Sequence, residues 1–426
     1  MSAMEVDSDV STVLATLRSE TENGDLINLF YELEDYYERK LWHQLTLSLE
    51  EFYRSKASAG TSVRTRIYDL FVSQFSSKLN QIQVVDFLLA SLEDLDLTKE
   101  ENVEVGIEKL TELQQNIRTN YLKTNSNSHQ VEDLEKSIED DEAVVYVALQ
   151  LARFYLYSNQ RETQLKASDE ILDSLNKKFE SSYEKVEFQA KVNAAYYLTN
   201  CQLYKIREDY NHYYSNGLLY LSAIATVNKS ANQTLDIVEQ QRLCYDLAIS
   251  ALLGDKIYNF GELILHDILK SLQGSQWEWL YNLIQFLNAG NLEGFSKWLA
   301  VGKDKAPILE AHEVFLQQKI IIMSLLELIS LKPATNKVLQ FKEISDFTGA
   351  PLNDVEHLII KCFSLGLIKG YINQIESSLI VTWLQPRILN LDQVKVLYDH
   401  LNKWDSGVEK LGNEMLQNGG SIWAAN

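Results

Sequence analysis

The chain has 426 residues, too many for one hydrophobic core, and 46% of them are apolar, so several domains or a repeat array can be buried and global disorder is excluded. Sixty acidic residues outnumber 39 basic ones, a net charge of −21 that repels nucleic acid and anionic lipid at long range and favours partners with basic surfaces. The three cysteines, Cys201, Cys244 and Cys362, are widely spaced, odd in number and set among apolar residues, which excludes a disulfide framework and fits a reducing compartment. The start, MSAMEVDSDVST, has neither a basic n-region nor an apolar h-region. No later run approaches 18 uninterrupted apolar residues, so neither secretion nor a membrane span is expected.

All four prolines, Pro307, Pro333, Pro351 and Pro386, lie in the last 120 residues. Proline costs a helix interior about 3 kcal/mol, so the proline-free run 1–306, rich in Leu, Ala, Glu, Lys and Gln, permits helix after helix. The 3.6-residue period is plain there. Leu26, Leu29, Phe30, Leu33, Tyr36, Tyr37 and Leu41 make one face; Leu45, Leu49, Phe52 and Tyr53 continue after a break; Ile67, Leu70, Phe71, Phe75 and Leu79 follow. Further on, 148–175 has the spacing of a tetratricopeptide-like hairpin: Ala148, Leu151, Ala152 and Tyr155, a polar turn at Ser158–Gln160, then Leu165, Ala167 and Leu172. A second copy spans Val192 to Ile224, turning near Arg207–Asp209, with Tyr196, Tyr197, Tyr204, Tyr210, Tyr213, Tyr214 and Tyr220 as packing residues. Between them the polar 124–130 and the acidic 132–142 read as a surface loop. Stacked hairpins of this kind build a superhelix with long contact surfaces and no inherent chemistry.

Enzyme signatures fail. Gly302–Lys303 is followed by Asp304 rather than Ser or Thr, and no glycine stands five residues upstream, so there is no phosphate cradle. CxxC, HxH and HExxH are all absent. Cys244 and Cys362 fall on apolar faces, where burial keeps a thiol inert. No catalytic residue, metal or cofactor is expected.

After Pro333 the pattern becomes mixed. Phe341, Ile344 and Phe347 predict a short helix ended by Gly349 and Pro351. A second helix is predicted from Asn353, capped by that side chain with Glu356 three residues on; its buried stripe is Val355, Leu358, Ile359 and Cys362, and Gly366 stops it. A hairpin, Tyr371–Ile375 and Leu379–Trp383, turns at Glu376–Ser378. This is a winged helix, a shape that many proteins place in the DNA major groove. Its outward residues, however, are Asp354, Glu356, His357 and Lys361, and from 341 onward seven basic residues face ten acidic ones. Phosphate neutralisation does not fit such a balance. Two uses of the wing remain open: the alternating Leu379, Val381 and Trp383 form an edge that extends a partner's sheet, or the wing only covers its own helices.

The final helix after Pro386 carries Val394, Leu397, Leu401, Trp404, Val408, Leu411 and Met415 at steps of 3 and 4, the narrow seam of a coiled coil or helical bundle. Three heptads do not stand alone in water. The seam needs a partner, either in another chain or elsewhere in this one. Gly407 weakens the helix, and NGGSIWAAN ends it.

A helical array capped by a winged helix and a last helix resembles the PCI-domain proteins of the proteasome lid, the signalosome and eukaryotic initiation factor three. The lid branch is matched most sharply by YDLAISALLGDKIYNFGELILHDIL (245–269), VEHLIIKCFSLGLIKGYINQIES (355–377), WLQPRI (383–388), WDSGVEKLGNEM (404–415) and GGSIW (419–423), with LRSETENGDLINLFYELEDYYERKLWHQLTLSLEEFY (17–53) extending the likeness. The insert near 124–130 and Asp267, where proline is commoner, depart from the pattern. The resemblance implies a mainly α fold: a helical-hairpin superhelical array over 1–306, a winged-helix PCI module with its leading helix over 307–390, and a C-terminal bundle helix and tail over 391–426. It further implies a cytoplasmic and nuclear scaffold of a hetero-oligomer, acting in ubiquitin-dependent degradation. Lid PCI subunits pair through their winged helices and gather their last helices in one bundle. The implied neighbours are the PCI subunit five, the isopeptidase heterodimer and the ubiquitin receptor subunit ten, with no nucleic acid or membrane. A signalosome or initiation-factor PCI subunit, or a nucleic-acid-binding PCI protein, is the alternative.

Overall fold

The computed structural model describes residues 10–419, apart from 21–23, 56–57, 59–61, 94–98, 126–137, 158–160, 182–188, 232–236, 333–336 and 387–390. Two compact units divide the chain, Met1–Thr234 and Leu235–Asn426. The break falls inside the run that composition alone reads as one array.

In the first unit the longer helices are α1 (Val10–Glu20), α2 (Gly24–Glu38), α3 (Trp42–Arg54), α4 (Gln81–Glu93), α5 (Glu100–Asn125), α6 (Glu142–Tyr157), α7 (Arg161–Ser181), α8 (Ala190–Ile206) and α9 (Tyr210–Ala231). The predicted stripes face one core: Leu26, Phe30 and Leu33 of α2 pack with Leu45, Leu49 and Phe52 of α3, the two phenylalanine rings 5.7 Å apart. Leu41, expected on the α2 face, lies past the helix end, where Lys40 takes a positive φ and turns the chain; it is exposed. Between α3 and α4 the described residues form a short helix, Val63–Ile67, that runs straight into a turn of wider pitch. Tyr68–Val72 is a π-helical turn, and its extra residue shifts the phase so that Phe71, Val72 and Phe75 stay buried while Leu70 turns out to solvent.

The hairpins α6–α7 and α8–α9 form as their spacing predicts, the second turning at Arg207–Asp209 with Glu208 left-handed. Tyr213, Tyr214 and Tyr220 are buried, Tyr196 stacks on Phe179 at 4.0 Å and Tyr204 on His212 at 5.1 Å. The tyrosines are packing residues. Across α4, α6 and α8, Tyr146 donates to Asp86 Oδ1 at 2.9 Å and Lys191 pairs with Asp86 Oδ2, although burial still pushes the Asp86 carboxyl upward. Most of the polar loop read at 124–130, and 132–137 of the acidic stretch read at 132–142, lie outside the described residues.

The second unit is built round α13 (Glu313–Leu331), which packs against α10 (Ile237–Leu253), α11 (Glu278–Asn288), α12 (Leu292–Lys305) and the winged helix. By length and composition α13 could cross a membrane, but 56% of that window is buried and Lys319 sits in its middle with no exposed surface. It is a core helix.

Lys319 explains how α10 ends. Its Nζ donates to the carbonyls of Ala251, Leu252 and Gly254 at 2.8, 3.0 and 2.7 Å, satisfying last-turn acceptors that a helix cannot satisfy itself. The rings of Tyr258, Phe260 and Phe315 surround the cation at 5.3–5.6 Å. Burial draws its pKa down to about 7, against the weaker upward pull of Asp255.

The wing follows as β1 (Val338–Gln340), α14 (Phe341–Thr348), α15 (Val355–Ser364), β2 (Ile368–Asn373) and β3 (Ser378–Leu384), in an antiparallel sheet of order β1-β3-β2. Gly349 takes φ +66 as expected. At the end of α15, Leu367 N–H donates to Cys362 O and Gly366 N–H to Phe363 O, a paired closure that Gly366 permits with φ +69. The predicted cap at Asn353 does not form. Residues 352–354 continue the turn after Pro351, Asp354 N–H donating to Pro351 O, and α15 begins at Val355 without a side-chain cap. Phe347, expected inside, is 41% exposed.

Candidate assembly interface

The last helix, α16 (Leu391–Gly419), carries the seam. Val394, Leu397, Leu401, Trp404, Val408, Leu411 and Met415 are 45–70% exposed, and every described residue from Val394 to Gln417 is exposed. Val396, Tyr398 and Leu416, which the narrow heptad reading omitted, are also open to solvent. The apolar side of α16 is thus bare along its described length. Fully burying a large apolar side chain is worth roughly 1.5–3 kcal/mol, so covering half-exposed seam residues offers on the order of 5–10 kcal/mol to whatever docks there.

The wing corrects the predicted edge. β3, which holds Leu379, Val381 and Trp383, is the central strand, flanked by β1 through Val338↔Ile380 and by β2 through Tyr371↔Ile380. Leu379 and Val381 are buried beneath the sheet, and Trp383 is 40% exposed with the Lys369 ammonium 4.9 Å over its ring. A three-residue strand such as Val338–Gln340 leaves no alternation to read, which is why the central position of β3 was missed. The outer strand of the hairpin is β2. Its register shifts between Lys369 and Gly370, and a methyl on Gly370 would lie 2.1 Å from Ile380 O, so only glycine fits where β2 bends against β3. Beyond that bulge Tyr371–Asn373 run regularly to the wing tip, Tyr371 57% exposed and Ile375 98% exposed.

The face that would read DNA is poor in positive charge. On α15 Asp354, His357 and Lys361 are exposed, Glu356 is half-buried, and Ile360 lies open between them. Lys361 Nζ already donates to Gln318 Oε1 at 3.2 Å. The cysteines also match their reading: all three are buried, and burial pushes each thiol up to about 12. At pH 8, iodoacetamide should leave Cys201, Cys244 and Cys362 unmodified in the native chain and label all three in urea; native labelling, read by mass spectrometry, would contradict their burial. Among the described residues no group of His, Cys, Asp and Glu is placed to hold a metal.

The comparisons with known proteins give this architecture a lineage. A family described as PSD13 N-terminal repeats matches residues 29–284, and the PCI domain matches 303–383. The 26S proteasome regulatory subunit RPN9 of Saccharomyces cerevisiae is 38% identical over 416 residues, covering 97% of this chain and 98% of that protein. The chain belongs to the RPN9/PSD13 family of proteasome regulatory subunits. The 26S proteasome non-ATPase regulatory subunit 13 homolog B of Arabidopsis thaliana, in the same RPN9/PSD13 family, is 32% identical over 91% of the chain and 92% of its own length. The eukaryotic translation initiation factor 3 subunit M of Nematostella vectensis is similar over only 33% of the chain, at 23% identity. The PSD13 repeats run past the division at Thr234 and end at residue 284 within α11, the PCI match begins within α12 and closes at Trp383, and α16 lies beyond both.

Proposed function

We propose that the chain is a non-catalytic scaffold of the proteasome regulatory-particle lid, serving ubiquitin-dependent degradation in cytoplasm and nucleus. The observation that carries this reading is α16, a 29-residue helix whose whole apolar seam is bare. Val394, Leu397, Leu401, Trp404, Val408, Leu411 and Met415 join a bundle with the last helices of other PCI subunits. The domain plan that supports this role is a repeat array over 1–306, a PCI module over 307–390 and the bundle helix over 391–426.

The wing makes the second contact by sheet addition, and the strand that offers itself is β2 rather than β3. Backbone groups along Tyr371–Asn373 pair with a neighbouring wing, while Leu379 and Val381 hold the sheet on its own helices and Trp383 packs with Lys369. The PCI subunit five is the expected neighbour there, with the isopeptidase heterodimer at the bundle and the ubiquitin receptor subunit ten close by. Neither cofactor nor nucleic acid enters this role.

Affinity purification of the tagged full chain, followed by quantitative mass spectrometry, tests the assignment. Lid subunits in equal amount are expected; recovery with initiation-factor subunits, or alone, contradicts it.

A further inference from the structure

Two glycines of α16 have no role within the described chain. A Cβ on Gly407 or Gly412 would meet no atom within 4 Å, and neither glycine takes a positive φ. Both weaken a helix whose described residues from Val394 to Gln417 are all exposed. They flank the seam. With Val394, Leu401, Val408 and Met415 at the a positions and Leu397, Trp404 and Leu411 at d, Gly407 falls at g and Gly412 at e. Trp404 is 70% exposed, and Tyr398, also at e, is 63% exposed. The first half of the helix therefore carries two large rings, and the second half carries two gaps.

That asymmetry is self-complementary in one arrangement. When a second α16 lies antiparallel about a twofold axis at Ser406, Trp404 meets Val408 of the second copy, Leu401 its Leu411 and Leu397 its Met415, each a residue against a d. On the flanks Tyr398 comes over Gly412 of the second copy and His400 beside its Glu414, while the two Gly407 meet near the axis, where the helices can close up. A parallel pair would instead stack Trp404 on Trp404 and leave the gaps facing each other. Charge does not oppose the pairing, because Lys395, Lys403 and Lys410 stand against Asp399, Asp405, Glu409 and Glu414, a net of −1. Asp405 approaches its own copy near the axis, at an exposed position where solvent and salt leave little repulsion. The seam and Tyr398 offer on the order of 600 Å² per copy, about 1,200 Å² for the pair, the lower bound of a specific interface.

We propose that the free chain pairs with a second copy of itself through α16, antiparallel about Ser406, in a reversible dimer that shields the seam until the C-terminal helices of other subunits displace it. Only the displacement step rests on the scaffold reading. The pairing belongs to the free chain, so a chain that stays monomeric refutes it and leaves the scaffold role untouched.

Sedimentation equilibrium of the full chain should show a monomer–dimer equilibrium with a dissociation constant on the order of 10 μM. Leu401→Asp should weaken it at least tenfold. Gly412→Leu adds apolar area and helix propensity but fills the gap under Tyr398, and should weaken it at least threefold. Orientation is read by double electron–electron resonance from a nitroxide on Gln417→Cys, an exposed position outside the seam; the three native cysteines are buried and stay unlabelled. Antiparallel copies place the two labels about 22 residues apart along the axis, so the distance should exceed about 30 Å. Parallel copies hold them side by side at about 20 Å. A chain still monomeric at about 200 μM, labels at the parallel distance, unchanged association of Leu401→Asp, or equal or tighter association of Gly412→Leu overturns the proposal.

Discussion

Leu401→Asp together with Leu411→Asp should remove the chain from its assembly and leave its own melting temperature unchanged. Both positions lie on the exposed seam of α16, 55% and 58% open, so no core contact is lost in the free chain. Burying a charge at each site of a helical bundle costs several kcal/mol, while the seam as a whole offers on the order of 5–10 kcal/mol. The expected result is at least a hundredfold loss of incorporation, measured by competition between tagged wild-type and variant chains. A fall in the melting temperature of the isolated variant would instead mean that α16 folds back on its own body.

The opposite pattern is expected at Lys319. Lys319→Met removes the one donor shared by the carbonyls of Ala251, Leu252 and Gly254 and leaves them buried at the end of α10. Relief from burying a cation offsets part of this loss, but backbone acceptors cannot be removed along with their partner, so the penalty for breaking a buried polar contact dominates. A destabilisation of about 3 kcal/mol is expected in urea unfolding of the second unit. Its pH dependence has a definite sign. With the folded pKa near 7 and the unfolded value at 10.5, the unfolded chain binds a proton that the folded chain does not between those values. Stability should therefore rise with pH across that window, and fall away as pH drops through 7. Lys319→Met should lack this rise. Equal slopes in the two proteins would show that Lys319 does not titrate there.

The contrast between these sites shows what a sequence exposes and what it hides. Periodicity located α2, α3, the hairpins α6–α7 and α8–α9, and the seam of α16, because a one-sided helix writes its buried face into every third or fourth residue. Residues that depend on distant partners were not visible. Lys319 sits in an apolar run and looks like an outward-reaching lysine until α10 ends against it, 65–68 positions earlier in the chain. The π turn at Tyr68–Val72 leaves no mark in composition, yet it moves Leu70 to the surface. The strand order turned on Val338–Gln340, three residues that make Leu379 and Val381 internal and hand the outer edge to β2. The predicted Asn353 cap failed for a local reason, the turn after Pro351 running one residue further than the cap pattern implies, so that Asp354 holds the cap position.

Assembly surfaces, by contrast, are exposed by definition and keep their own periodicity. The legible parts of this chain are accordingly its one-sided helices, those that pack into the core of the first unit and the seam of α16 that other proteins are expected to cover.

Site-specific photo-crosslinking from the seam tests the scaffold claim most directly. With Leu401→p-benzoylphenylalanine in the full chain, irradiation of the purified particle should give a covalent adduct to the C-terminal helix of another PCI subunit. Adducts confined to this chain's own residues would contradict it.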